Sequence, residues 1–110
     1  MKKAVFEVGG KEYPLTFDLY AMELIEEEYG SIQKAFQAMQ EGDHMIRIVG
    51  VMFAAMANSA RSLEGLPEDV TPAAIRHMEP YRINELQQII NKAVSNGMKV
   101  DKNDEEDEDE

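Results

Sequence analysis

The stretch His44-Met45-Ile46-Arg47-Ile48-Val49-Gly50-Val51-Met52-Phe53-Ala54-Ala55-Met56-Ala57 decides the fold. Apart from Arg47 and Gly50, every residue from Met45 to Ala57 is apolar. Wound as a helix, such a run leaves almost no polar face, the pattern of a helix covered on most sides. It carries Arg47 and falls short of the roughly 20 apolar residues that span a bilayer. The reading is a buried central helix over about residues 44–60, about 17 residues and on the order of 25 Å long.

On its N-terminal side, residues 4–17 read as a β-hairpin. Gly9-Gly10 supplies a turn in which both central residues take positive φ. That loop pairs Val8 with Lys11, Phe6 with Tyr13 and Ala4 with Leu15, so Ala4, Phe6, Val8, Tyr13 and Leu15 share one face. Register and hydrophobic pattern agree. Pro14 falls opposite Val5, where its missing N–H faces outward, which marks the second strand as an edge. Two strands alone are marginal, so the apolar face must rest on helices.

Asp18 is the predicted N-cap of a helix from Leu19 to Tyr29, stopped by Gly30. Leu19, Met22, Ile25 and Tyr29 form its apolar stripe, and Glu23, Glu26, Glu27 and Glu28 its solvated side. Ser31 caps the next helix, in which Ile32, Ala35, Phe36 and Met39 recur at helical spacing up to Gly42. Asp43 is the expected cap of the core helix. Beyond the core, residues 62–70 read as a loop. Thr71-Pro72 then opens a short helix over 72–78. A last helix runs over about 81–96, its face formed by Ile83, Leu86, Ile89, Ile90, Ala93 and Val94, with Gly97 as its stop. The expected architecture is mainly α: about five helices around the central one, an N-terminal hairpin, a single domain over 1–97, and a disordered acidic tail over 98–110.

The net charge of −11 is unevenly placed. Residues 101–110 hold eight carboxylates and one lysine, −7 in all, which leaves −4 for residues 1–100. A run of like charge cannot bury anything and stays solvated. A nucleic-acid binder shows a basic stripe, which this chain lacks, so no nucleic-acid partner is expected. The absence of cysteine removes disulfides, thiolate metal sites and cysteine nucleophiles. Met1-Lys2-Lys3 leads into Glu7 and Gly9-Gly10 and not into an apolar segment, so a cytoplasmic protein with no membrane partner is expected.

Little in the chain resembles catalytic machinery. The histidines are His44 and His77, outside any metal-ligand spacing. Asp101, Asn103 and Glu105 match the first positions of a calcium loop, but Glu106 occupies the required glycine position. Gly9-Gly10 is a turn and not a phosphate loop, and Ser31, Ser59, Ser62 and Ser95 have no recognisable base. Neither enzyme activity, cofactor nor metal is expected. The methionines at 22, 39, 45, 52, 56, 78 and 98 are the remaining signal, because flexible, polarizable methionine is over-used where varied helical partners are gripped. Phe36, Met39, Met52, Met56, Met78 and Tyr81 are the candidate partner-binding residues, by residue type and helix position.

Gly10-Lys11-Glu12-Tyr13-Pro14-Leu15-Thr16-Phe17-Asp18, followed by an acidic helix ending Glu28-Tyr29-Gly30-Ser31-Ile32, resembles the tail assembly chaperones of long-tailed phages and prophages of Gram-positive bacteria. The similarity covers about residues 5–97. It implies a non-enzymatic helper that keeps the helical, apolar tape measure protein soluble until tail tube subunits polymerise around it. The tape measure protein is then the partner, with the tail tube protein as a second candidate. Such proteins often also occur as a frameshifted, C-terminally extended form. The competing reading is an acidic inhibitor or DNA mimic, in which the 101–110 tail and the glutamate-rich helix engage a basic partner. That reading requires the tail and predicts collapse of binding with salt. Both open edges of the hairpin offer a route to homo-oligomers.

Overall fold

In a computed structural model the protein is described over residues 4–42 and 44–99. The apolar run forms the longest helix, α3 (Met45–Leu63), and every residue from Ile48 to Ala57 is buried. Around it lie the hairpin strands β1 (Val5–Val8) and β2 (Lys11–Pro14) and the helices α1 (Leu19–Tyr29), α2 (Ile32–Glu41) and α4 (Ile83–Met98). Among the described residues the fold is thus mainly helical, with four α-helices and a two-stranded antiparallel hairpin. The expected acidic tail falls on residues 100–110 for the most part, and the expected cap on Asp43; both lie outside the described residues.

The hairpin has the register its pattern requires: Val5 faces Pro14, Phe6 faces Tyr13, Glu7 faces Glu12 and Val8 faces Lys11. Gly9 and Gly10 take φ of 62° and 78°, a turn that a side chain at either position would strain. The Leu15 N–H continues the ladder to the Ala4 carbonyl at 2.8 Å. The hairpin's apolar face sits on α3 through Phe53, which meets the Phe6 ring at 6.1 Å and the Tyr13 ring at 5.3 Å, both edge to face. Edge-to-face pairs of this kind add about 0.5–1.5 kcal/mol beyond area burial. One backbone bond, Thr16 N–H to the Met56 carbonyl at 3.1 Å, stitches the end of the hairpin to α3.

The caps of α1 and α2 are those the sequence names. Asp18 accepts from the Ala21 N–H, Ser31 accepts from the Lys34 N–H, and Gly30 and Gly42 close the two helices. The buried residues of α1 are Ala21 and Ile25, with Met22 and Tyr29 half-buried beside them. Leu19, expected in that stripe, is instead 81% exposed, while Ala21 in the same turn is buried.

Two expectations are corrected. The segment after Thr71-Pro72 is not a fifth helix but two 3₁₀ turns, Pro72–Ile75 and Pro80–Arg82. Its bonds close over three residues, as in Ala74 N–H to Thr71 and Met78 N–H to Ile75, and Pro80 cannot donate the bond that would propagate it. In addition, α3 does not end near residue 60 but continues to Leu63, into the stretch that reads as a loop. Its polar residues Asn58 and Ser59 both have partners. Asn58 clasps the Val70 backbone on both sides, donating to its carbonyl at 2.8 Å and accepting from its N–H at 3.0 Å. Ser59, the one buried polar residue of the described core, donates to Asp18 Oδ1 at 2.6 Å and so ties α3 to the cap of α1. A Ser59→Ala chain is expected to lose about 1.5–3 kcal/mol, the range for a hydrogen bond to a charged acceptor. The measurement is the urea midpoint, and an unchanged midpoint would mean that solvent already serves Asp18.

Candidate functional site

The C-terminal half of α4 lies between two clefts, and the sequence explains both. On one side α4 presents Ala93, Asn96 and Gly97 toward Ala60 and Leu63 of α3, with Ala4, Leu15 and Phe17 from the hairpin and its exit forming the floor. Short side chains at 60, 93 and 97 leave a trough of about 410 Å³ where larger ones would have filled it. Leu63 stands on its wall 72% exposed, an apolar side chain that the fold leaves uncovered. Glu64 is the one charged residue of the lining.

Gly97 is what lets α4 close onto the hairpin exit. A Cβ at this position would lie 2.0 Å from the Phe17 carbonyl oxygen. The glycine expected to end the last helix thus sits inside it, and the helix runs on to Met98.

On the other side of α4, a second cleft of about 580 Å³ is lined by Phe36, Met39 and Gln40 of α2 and by Gln87, Asn91 and Val94 of α4. It is the more polar of the two, with two glutamines and an asparagine among six residues. The Phe17 and Phe36 rings pack 6.1 Å apart, so a single aromatic pair connects the floor of the first trough with the wall of the second.

Of the six residues picked from the sequence, only Phe36 and Met39 share a cleft. Met52 and Met56 are corrected: both are fully buried in the core cluster, where α3 is enclosed by the hairpin and the other helices, and neither lines a groove. Met78 is half-buried against the core, and Tyr81 stands 78% exposed on the turn before α4, in neither cleft. The residues missed are Leu15, Phe17, Ala60, Leu63 and Ala93. One signal was available for Leu63, which follows Met56 by seven residues and Ala60 by three, continuing the helical period of the core run into what reads as a loop.

Apart from Glu64, the charged residues lie outside the trough's lining. Glu23, Glu26, Glu27 and Glu28 are exposed along α1. The Tyr20 hydroxyl donates to Glu68, and that bond, with the nearby charges of Glu68, Glu23 and Glu27, holds the phenol above its ordinary pKa. Arg47–Glu28 at 3.9 Å and Arg61–Asp69 at 3.7 Å are surface ion pairs, a class that contributes at most about 1 kcal/mol each. His44 and His77 are both exposed, at the start of α3 and after the first 3₁₀ turn. Among the described residues no three His, Asp or Glu side chains converge as a metal site, and no helix is long and apolar enough to cross a membrane. The arrangement is suited to holding an apolar surface against the trough.

Comparison of the chain with known protein families, with characterised proteins and with solved structures gave no match.

Proposed function

We propose that this chain is a phage tail assembly chaperone that binds the tape measure protein and keeps it soluble while the tail tube assembles. On this reading it is a binding protein and not an enzyme, its partner is an amphipathic helix of the tape measure protein, and the tail tube protein is a second candidate partner. The observation that carries the reading is the open apolar trough between the ends of α3 and α4, with Leu63 uncovered on its wall. An amphipathic helix laid into such a groove buries the face that would otherwise drive aggregation. The hairpin-to-helix stretch 10–18, which carries the resemblance, also supplies the floor of the trough through Leu15 and Phe17.

The test is co-expression with tape measure fragments, scored as soluble client recovered with the chaperone. Leu63→Glu is expected to abolish recovery while leaving the melting temperature within a few degrees, because the side chain is already in solvent. Recovery that survives Leu63→Glu would rule out the trough as the client's site. A chain that recovers no client but holds a basic partner, and loses it when residues 101–110 are deleted or salt is raised, acts as an acidic inhibitor or DNA mimic.

A further inference from the structure

Strands with a free edge are templates for another chain, and proteins close them with bulges, prolines or charged side chains. The edge of β2 is closed twice. Pro14 has no N–H to offer, and the Thr16 N–H is given to the Met56 carbonyl at 3.1 Å. The edge of β1 is different. In the observed register Ala4, Phe6 and Val8 bond toward β2, so the amides and carbonyls of Val5 and Glu7 point away from the hairpin. Only one of these four groups has a partner among the described residues: the Glu7 carbonyl accepts from Arg82 Nη2 at 2.8 Å. Arg82 is fixed for that task. Its guanidinium lies 4.7 Å from the centre of the Phe6 ring, and Glu85 takes its Nε at 3.0 Å and its Nη2 at 3.4 Å.

We propose that the outer edge of β1 is a self-association surface of this chain, and that Arg82 is the latch that holds it shut. The occupant is a second copy of β1. Two β1 strands run antiparallel about a twofold axis at Phe6 place Val5 of each against Glu7 of the other. The four outward groups of one strand then meet the four of its mate in a closed, isologous pairing. The hairpins become one four-stranded sheet. Arg82 occupies the Glu7 carbonyl on each side, which removes one symmetric pair of the bonds this sheet needs. The latch also spans the chain: it fastens the start of α4 to β1 across 75 residues of sequence, so the edge opens only when α4 lifts locally or Arg82 is drawn away by another carboxylate.

The experiment is sedimentation of the full chain over a wide concentration range. Wild type is expected to stay monomeric, and Arg82→Ala to form a dimer whose association is about tenfold tighter or more. Adding Val5→Pro to Arg82→Ala deletes an outward N–H that the hairpin does not use, and it is expected to restore the monomer. A folded Arg82→Ala chain that remains monomeric throughout overturns the proposal. So does an Arg82→Ala dimer that Val5→Pro leaves intact, since the surface then lies elsewhere. Should Arg82→Ala fail to fold, Arg82→Lys decides. It keeps the charge and the stem over Phe6 but cannot hold Glu7 and Glu85 together. Weak dimers sensitive to Val5→Pro support the latch, and their absence overturns it.

Discussion

A chain carrying Met52→Glu together with Met56→Glu is expected not to fold at all. Both side chains are fully buried on α3, in the cluster that gathers the hairpin, α1 and α4. A carboxyl group placed there has no partner, so it takes up a proton or stays charged, and either state costs several kcal/mol per site. Two such sites, with the methionine burial they forfeit, together rival the roughly 5–15 kcal/mol that holds a domain together. The observable is the thermal transition by circular dichroism, which should vanish. A cooperative transition near that of wild type would place these methionines outside the core. The contrast with Leu63→Glu is the useful part: the same charge introduced on the wall of the trough removes an apolar contact surface and leaves the core untouched.

Gly97→Ala is expected to reverse the usual sign of a glycine-to-alanine exchange in a helix. Alanine ordinarily stabilises a helix interior by about 0.5–1 kcal/mol. Here the added methyl would stand 2.0 Å from a backbone oxygen of Phe17, and no rotamer change can relieve it. Either the end of α4 or the hairpin exit has to move. Overpacking of this kind costs about 1–3 kcal/mol, a fall in melting temperature on the order of 10 °C for a domain of this size. Gly97 is itself exposed, so burial gives no warning of the effect. The displaced segments are two walls of the trough, so client recovery should fall with stability. A Gly97→Ala protein as stable as wild type would show that α4 does not pack as closely on Phe17 as described.

Elements governed by local chemistry were legible from the residues alone. The Gly9-Gly10 turn set the hairpin register, because a one-residue slip would have turned Phe6 outward. Asp18, Ser31, Gly30 and Gly42 marked their helix ends because capping is decided within a few residues. The continuous burial from Ile48 to Ala57 followed from a run with no polar face. What stayed hidden depended on contacts distant in sequence. The roles of Asn58 and Ser59 gave no local sign because their partners, Val70 and Asp18, lie 12 and 41 residues away. Gly97 read as a stop because nothing near it in sequence reveals the Phe17 backbone. Methionine type alone did not separate Met52 and Met56 in the core from Met39 in a cleft, since the same flexibility serves both places. The trough was illegible for a further reason: it is opened by Ala60, Ala93 and Gly97, residues whose contribution is the volume they leave unfilled.

Ala4 and Gly97 line the same trough, so the first and last elements of the described fold meet side by side. A circular permutant joined there by a few glycines and serines, and cut open at Gly65 in the exposed 64–69 loop, would keep every helix and both strands unbroken. Chain connectivity is then separable from architecture in this protein, and the bridging linker would itself lie across the mouth of the trough.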